Sequence, residues 1–418
     1  MQETGNIKRS ISRSMWILII LLIISAAINY FDRITLSTAG PLLTIDLNLS
    51  PAQLGILFSA FFWSYALFQI LAGWLVDRYN ANILLAAGFL VWSLSTTLVG
   101  FVNSFVSLIL LRVLLGIGES VAYPCYSKIM TGSFAEHQRG LANALIDTST
   151  KFGPALGILV GGVLMAHFGW RPVFIFLGIG SLLWLPLWFR WMPKTDNKAS
   201  NNINKKIGLR HILSKRAFWA TFIGHFCGNY FWYFLLTWLP LYLVKERNFS
   251  LETMSIVGAI AFFLTGISTT ITGWIADRAI ASGSTPTRIR KTCLITGLSL
   301  ATIIVFVVVI PGSVASMVFL LLSCCSYGIF ASSHWAVTQT IAGPEAVGRW
   351  SGFQNCLANL AGVIAPALTG FVVDRTGQFF WAFIVSTSVV LIGAGIYAFL
   401  LGPIEQVKWH SGSHIQNY

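Results

Sequence analysis

The sequence predicts an all-α membrane protein whose twelve transmembrane helices form two six-helix bundles. First, 56% of its 418 residues are hydrophobic and only 10% are charged, whereas a soluble globular domain carries about 25% charged residues. Second, the hexapeptide Gly-Trp-Leu-Val-Asp-Arg that begins at residue 73 recurs as Gly-Trp-Ile-Ala-Asp-Arg at residue 273, 200 residues later. A repeat of this kind indicates that the chain consists of two copies of one membrane unit.

The chain contains twelve runs that are long enough to span a membrane, for which about 20 mainly apolar residues are needed. These runs are 15–38, 51–76, 82–102, 104–130, 140–167, 171–191, 215–243, 252–277, 291–311, 313–341, 348–373 and 378–402. The first run follows Lys8, Arg9 and Arg13 and resembles a secretory signal. No small-x-small cleavage site precedes a soluble domain, so we interpret this run as a retained transmembrane helix.

A polar stretch divides the twelve runs into two sets of six. We therefore predict an N-terminal bundle at 1–191, a linker at 192–214, a C-terminal bundle at 215–402 and a tail at 403–418. If both termini are cytoplasmic, four of the 27 Lys and Arg residues face outward and three lie within spans, so the remaining 20 face the cytoplasm. The positive-inside rule favours this orientation, with a cytoplasmic linker and tail.

Composition and motifs exclude several classes of protein. The net charge of +13 does not indicate nucleic-acid binding, because most basic residues lie in short gaps between apolar runs, as in inner-membrane proteins. The six cysteines lie in or beside apolar runs, without zinc spacing or a disulfide framework. The sequence has no phosphate-binding Gly-Lys-Ser/Thr loop and no His-Glu-x-x-His pattern. We therefore expect neither an ATP-driven pump nor an enzyme, and no metal or other cofactor.

Small residues recur every four positions in two matched spans. They are Gly153, Gly157 and Gly161 in the fifth span and Gly362, Pro366 and Gly370 in the eleventh. Small residues at this interval allow two helix backbones to approach closely inside a membrane. The pattern therefore predicts close helix packing at both places.

The twelve spans, the two halves and the repeated turn resemble the major facilitator superfamily of secondary transporters. The resemblance implies two bundles that face each other across a central cavity and rock about a substrate site near the midplane. It also implies gating roles for the charged residues of both turns, which are Asp77, Arg78, Asp277 and Arg278. The first turn departs from the family pattern, since Asn80 stands where a Gly is usual and Asn82 where a basic residue is usual.

Three motifs narrow the resemblance to the anion:cation symporter subgroup, which includes bacterial galactonate and other sugar-acid transporters and sialin. The first span contains Asn-Tyr-Phe-Asp-Arg at 29–33, and the second contains Ser-Ala-Phe-Phe-Trp-Ser-Tyr at 59–65 with Gln69. The fourth contains Leu-Arg-Val-Leu-Leu-Gly-Ile-Gly-Glu at 111–119, followed by Pro124. The resemblance implies that the substrate is an organic anion.

Ionisable side chains are concentrated within the spans of the first half, where each charge costs about 2.5–3.5 kcal/mol on translocon scales. They are Asp32, Arg33, Arg112, Glu119, Asp147 and Lys151. The helical rise of about 1.5 Å per residue places Asp32 and Arg112 in the same outer half of the membrane. We therefore predict that Asp32 pairs with Arg112, which leaves Arg33 for Glu119 or for a ligand.

These charges suggest a mechanism of coupling. An ionised Glu119 would hold Arg33 and compete with an incoming carboxylate, and protonation of Glu119 would remove this competitor. Proton and anion would then favour each other's binding, as symport requires. The subgroup resemblance likewise implies proton-coupling roles for Asp32 and Glu119 and an anion-binding role for Arg33.

We predict proton-coupled uptake of an organic anion, a sugar acid or another small carboxylate, by alternating access. The alternative is a proton-driven exporter of a carboxylate metabolite or siderophore. The expected partners are a small organic anion, a proton and membrane lipid. We expect the chain to act as a monomer in the bacterial inner (plasma) membrane.

Further candidate contacts follow from resemblance and polarity. They are Tyr30, Tyr65, Gln69, Arg112 and Lys151 in the first half and Asn229, Tyr230, Tyr233, Trp335, Asn355 and Asn359 in the second. Lys151 departs from the sugar-acid transporters that the chain resembles, which carry an uncharged polar residue there. Lys151 either faces the cavity as a second cation, which would suit a dicarboxylate, or pairs with Asp147 four residues earlier. Within the spans of the second half, His225 and His334 are the further ionisable candidates.

Overall fold

The computed structural model describes residues 12–134, 136–193 and 208–409. Within these ranges twelve long helical spans follow one another. In the first half they are α1 (Arg13–Thr38), α2 (Pro51–Arg78), α3 (Ala81–Val99), α4 (Phe105–Ser133), α5 (Glu136–Phe168) and α6 (Trp170–Trp191). In the second half they are α7 (Arg216–Lys245), α8 (Leu251–Ala281), α9 (Pro286–Val309), α10 (Ser313–Gly343), α11 (Glu345–Thr376) and α12 (Phe380–Leu400). The predicted all-α membrane fold is confirmed. Short helices, Gly40–Asp46 and Leu209–Leu213, precede α2 and α7.

Short connections join consecutive spans. Before α2, the Ser50 side chain accepts a hydrogen bond from the backbone N–H of Gln53, and the Gln53 side chain accepts one from the backbone N–H of Ser50. This capping box stabilises the start of the helix. Between α10 and α11 the chain turns at Gly343, whose φ of 63° favours glycine. We call the side where α1 ends and α2 begins the far side, and the opposite side the near side.

Eleven of the twelve spans are long and apolar enough to cross a membrane. The remaining span, α7, has 30 residues but includes His225, Asn229 and several Trp and Tyr residues, which lower its mean hydropathy. More than half of its residues are nevertheless buried, including Phe231 and Trp238. Because α7 packs against α1 as well as against its neighbours in the second half, it is surrounded by protein more than by lipid.

The small residues at four-residue spacing allow close helix contacts, as predicted. In α5, a Cβ atom added at Gly153 would come within 2.9 Å of the Cβ of Tyr30 in α1. In α11, a Cβ atom added at Gly370 would come within 2.5 Å of the carbonyl oxygen of Pro51 in α2. The opposing glycine, Gly55, would bring a Cβ within 2.6 Å of the carbonyl oxygen of Pro366. The first contact lies within one half, and the second joins the two halves.

The two halves also pack against each other toward the far side through polar and aromatic groups. The Ser37 hydroxyl of α1 donates a hydrogen bond to the carbonyl oxygen of Leu236 in α7 at 2.6 Å. The Phe58 ring of α2 meets the Trp238 ring of α7 edge to face, with 5.7 Å between centroids. Together with the glycine contact, these interactions close the far side over the middle of the molecule.

Candidate functional site

A buried ion pair joins α1 to α4 in the first half. The Arg33 Nε donates a hydrogen bond to Glu119 Oε2 at 2.8 Å. Arg33 is 5% exposed and Glu119 is fully buried. The predicted partnership of Arg33 with Glu119 is thus confirmed. An ion pair this deeply buried leaves each member strongly dependent on the other, because either charge alone would be costly there.

Three aromatic rings surround the Arg33 guanidinium. Its central carbon lies 4.7 Å from the ring centroid of Tyr30, 4.8 Å from that of Phe61 and 4.7 Å from that of Tyr65, within the range of cation–π attraction. The Nη2 atom of Arg33 is buried and has no hydrogen-bond partner among the described residues. The rings therefore hold a guanidinium that still has a free donor.

A glycine brings α4 against α2 and so places the acidic member of the pair. A Cβ atom at Gly116 would clash with the Ser64 hydroxyl and the Phe61 carbonyl oxygen of α2. The close approach of the two backbones sets Glu119 within reach of Arg33. Asn29 lies near Glu119, but its amide atoms and the second carboxylate oxygen of Glu119, Oε1, are buried and have no hydrogen-bond partner among the described residues.

The predicted ion pair between Asp32 and Arg112 is wrong in its geometry. Both side chains are buried, 3% and 5% exposed, but no ion pair joins them within the described part of the chain. Asp32 lies beside Thr96 of α3 instead, and the Arg112 guanidinium lies 5.2 Å from the Phe61 ring centroid. The two residues border one small cavity of about 10 Å³, which has room for about one water molecule.

In the second half, Tyr233 and Asn359 reach toward the first-half charges. The Tyr233 hydroxyl donates a hydrogen bond to Asn359 Oδ1 at 2.6 Å, and the Tyr233 ring meets Phe62 of α2 at 4.5 Å between centroids. Tyr233 also lies near the Arg33 guanidinium. These two predicted contacts therefore lie at the interface between the halves, opposite the buried pair.

Other predicted contacts lie farther from the pair. Asn229 is half-buried, and its Nδ2 donates to the Ala358 carbonyl oxygen at 3.3 Å. No described contact links the side chains of Gln69, Tyr230 or Asn355 to Arg33 or Glu119. Tyr230 is 2% exposed and lies near Thr369 of α11, which indicates a packing role inside the second half.

Lys151 projects from α5 toward the second half. Its Nζ lies 5.7 Å from the ring centroid of Trp232 on α7, and the side chain lies near the imidazoles of His225 and His334. The side chain of Asp147 lies outside the described part of the chain, so pairing between Asp147 and Lys151 stays a prediction. The predicted contact Trp335 lies beside both imidazoles, at 5.0 and 5.2 Å between ring centroids.

Sequence reasoning missed a buried hydrogen-bond network behind these imidazoles. Gln354 of α11 accepts hydrogen bonds at its Oε1 from the Thr338 hydroxyl at 3.0 Å and from Trp350 Nε1 at 3.1 Å. The Gln354 Nε2 lies 3.3 Å from His225 Nδ1. His334 Nδ1 lies 3.0 Å from the Ala331 carbonyl oxygen. The available signal was a Trp and a Gln four residues apart, at 350 and 354, which lie on one face of a helix.

The two repeated turns differ in their contacts. In the second half, Arg290 of α9 donates to Asp277 Oδ1 at 2.5 Å. In the first half, Asn82 has no charge and donates instead to the Pro193 carbonyl oxygen at 2.6 Å. The side chain of Asp77 lies outside the described residues. Arg78 and Arg278 each lie over the Trp of their own turn, at 4.3 and 5.5 Å from the ring centroid.

The Asp277–Arg290 pair should contribute little to stability. Asp277 is 69% exposed, and exposed ion pairs are worth about 0.2–1 kcal/mol. We expect Asp277→Asn and Arg290→Gln each to lower the thermal midpoint of the detergent-solubilised protein slightly. The double variant should unfold at the temperature of either single variant, because both remove the same interaction. If the decreases in thermal midpoint of the two single variants add up in the double variant, that result would contradict an interaction between Asp277 and Arg290.

Comparisons with known proteins agree with this architecture. The family model of the Major Facilitator Superfamily matches residues 22–366. A solved structure of a bacterial homolog to the human lysosomal transporter Spinster, in an inward-facing and unoccupied conformation, superposes with a TM-score of 0.80 at 18% identity. The superposition covers 93% of this chain and 98% of that chain. At this identity the likeness supports the fold alone.

Two curated relatives are similar over almost the whole chain. The "Hexuronate transporter" of Bacillus subtilis (strain 168) is 33% identical over 388 residues, covering 90% of this chain and 92% of that protein. The "Probable galactarate/D-glucarate transporter GudP" of Escherichia coli (strain K12) is 29% identical and covers 97% of both chains. Both names describe carriers of sugar acids.

Proposed function

Because the chain belongs to the Major Facilitator Superfamily, we propose that it is a proton-coupled symporter that takes up a sugar acid by alternating access. It is an integral, multi-pass protein of the bacterial inner membrane and resembles sugar-acid transporters along nearly its full length. The proposed orientation has both termini in the cytoplasm, so that the near side is cytoplasmic and the closed far side is external.

One observation carries the proposal: Arg33 is caged by aromatic rings, paired with Glu119, and still has a free buried donor. A substrate carboxylate can accept a hydrogen bond from Nη2. If Glu119 releases Nε, the carboxylate can accept a second hydrogen bond from that atom. Two parallel bonds from one guanidinium suit the planar geometry of a carboxylate. A buried guanidinium that already has a full counter-charge would gain little from an anion, so the site requires a change in Glu119.

Protonation of Glu119 supplies that change. With Glu119 ionised, Arg33 is neutralised and an incoming anion would add a net negative charge inside the membrane. With Glu119 protonated, the pair carries a net positive charge that the anion neutralises. Each ligand thereby makes binding of the other more favourable, and symport requires this mutual increase in affinity.

Asp32 is proposed to bind a proton at a second position. It lies beside the small cavity shared with Arg112 and Thr96, so its proton need not pass through the substrate site. The cavity has room for a water molecule that can hydrogen-bond the buried Asp32 Oδ2 and Arg112 Nε, neither of which has a partner among the described residues. Such a water would couple the protonation of Asp32 to the charge of Arg112.

The rest of the site suits a substrate with several hydroxyl groups. Tyr233, Asn359 and Asn229 offer donors and acceptors from the second half, and Tyr30 and Tyr65 offer hydroxyls from the first. Two relatives are named for hexuronate and for galactarate or D-glucarate, which are polyhydroxylated acids. We therefore propose six-carbon sugar acids as the substrate class.

The proposal is tested with purified protein in liposomes of known protein orientation. An inward proton gradient should drive accumulation of radiolabelled galacturonate or galactarate, and a protonophore should abolish that accumulation. Arg33→Gln, with its folding checked by the thermal midpoint, should abolish accumulation because it removes the anion-binding donor. Accumulation that does not depend on the proton gradient would contradict proton coupling. Proton-driven efflux of the substrate against its own concentration gradient would favour the alternative, an exporter.

A further inference from the structure

We propose that Lys151 forms a second anion subsite at the interface between the halves, which binds the second acidic group of a dianionic substrate. This inference rests on the proposed function and makes its substrate class more specific: sugar acids with two acidic groups, rather than one, should be preferred. Nothing in the names of the relatives decides between these classes, because one is named for a monoanion and another for dianions.

The packing of α5 against α8 directs Lys151 toward the second half. Gly266 of α8 brings the helices so close that an added Cβ would lie 3.3 Å from the Lys151 Cβ. The next residue, Phe152, packs edge to face on Phe263 of α8 at 5.2 Å between centroids. The Lys151 stem is therefore wedged between the halves, and its ammonium extends over the Trp232 ring of α7.

The wall that faces Lys151 in the second half contains no acidic side chain among the described residues. It consists of the Trp232 ring, the imidazoles of His225 and His334, and the Asn229 amide, which lies near His225. In the described part of that half, every carboxylate lies at or near a helix end or in the tail; these are Glu246, Glu252, Asp277, Glu345, Asp374 and Glu405. No described acid of the second half therefore neutralises Lys151.

The network behind the wall keeps His225 neutral. Trp350 Nε1 can only donate a hydrogen bond, so the Gln354 atom that faces it must be the amide oxygen. The Gln354 NH₂ group then donates to His225 Nδ1, which must be an unprotonated acceptor. His225 consequently carries its proton on Nε2 and adds no positive charge. His225 therefore does not add to the positive charge that Lys151 brings to this subsite.

The charges of the site then match a dianion. The first acidic group of the substrate binds Arg33 after Glu119 is protonated, so the Arg33 subsite carries no net charge. A second ionised group inside the membrane would be costly without a partner. Lys151 supplies that partner, with the Asn229 amide as a neighbouring polar group. A substrate with one carboxylate leaves Lys151 unneutralised and should bind less tightly.

The test compares galactarate with galacturonate, which share a carbon skeleton but carry two carboxylates and one. Apparent affinities are measured by proton-driven uptake into proteoliposomes. The wild-type protein should prefer galactarate, and Lys151→Gln should lower the ratio of galactarate to galacturonate affinity by about 10- to 100-fold. Lys151→Arg keeps the positive charge and should retain most of the wild-type ratio of galactarate to galacturonate affinity. Lys245→Gln, the same chemical change at an exposed helix end, serves as the matched control.

Pairing with Asp147 is the competing role for Lys151 and has a different outcome. If Lys151 serves only to neutralise Asp147, then Lys151→Gln should weaken both substrates alike, and adding Asp147→Asn should restore them. That result would overturn the inference, as would a wild-type protein that carries galacturonate better than galactarate. Failure of the proposed function is distinguishable, because the wild-type protein would then show proton-driven uptake of neither anion.

Discussion

Glu119→Gln is expected to abolish proton-driven accumulation and to weaken the pH dependence of sugar-acid binding. The glutamine cannot be ionised, so it never competes with the substrate for Arg33 and never carries a proton across. In the wild-type protein, lowering the pH protonates Glu119, frees Arg33 and raises anion affinity. Coupling energies between two sites are about 1–3 kcal/mol, which corresponds to about 5- to 150-fold in affinity. The variant should lose the part of that dependence that Glu119 supplies.

Ligand binding to the purified variant, measured between pH 5 and pH 8, separates coupling from folding. Removing one partner of a buried ion pair costs about 3–5 kcal/mol, so the unliganded variant should melt at a lower temperature and should be stabilised strongly by galactarate. Glu405→Gln, in the exposed tail, is the matched control and should keep the wild-type pH dependence. A Glu119→Gln protein that still concentrates substrate down a proton gradient would remove Glu119 from the mechanism.

Gly55→Val is expected to hold the far side open and to stop turnover. In the far-side-closed structure an added Cβ at Gly55 would lie 2.6 Å from the Pro366 carbonyl oxygen and 3.0 Å from the Gly370 Cα, and both are backbone atoms that cannot rotate away. Overpacking of this kind costs about 1–3 kcal/mol, and the cost applies only to the closed arrangement. The population of the closed state should therefore fall by about 5- to 150-fold.

Spin labels at the far-side positions Ile45 and Gln378, both exposed, would report this shift as a longer distance between the halves. Gly180→Val is the matched control, because nothing lies within 4 Å of a Cβ atom added there. Transport by the Gly55 variant should be lost while its sugar-acid binding from the far side persists. An unchanged distance distribution would show that the glycine contact does not set the closed state.

Much of this architecture was predictable because a membrane imposes simple rules on sequence. Span length and charge placement follow from the thickness and polarity of the bilayer, and the spans so predicted coincide with helices. The small-residue spacing in α5 and α11 predicted close packing for the same local reason. Arg33 and Glu119 were predictable partners because two opposite charges in one apolar bundle are strongly driven together.

Other features depended on rotation and long-range geometry, which spacing does not encode. Asp32 and Arg112 border one cavity, yet no ion pair joins them in the described part of the chain, so depth alone predicted the wrong pair. The network of Gln354, Trp350 and His225 joins α7 to α11. Its contact between His225 and Gln354 links two residues that are 129 positions apart in the sequence. The direction of Lys151 likewise depends on where α8 lies against α5.

The composition of α7 has a consequence for how the protein enters the membrane. Of the twelve spans, it is the least suited to lipid, since its polar and aromatic residues serve the interior of the folded bundle. A segment of this kind gains little free energy when it moves by itself from the translocon into the lipid. Its insertion should depend on contacts with spans already made, so that biogenesis of the second half begins from the finished first half.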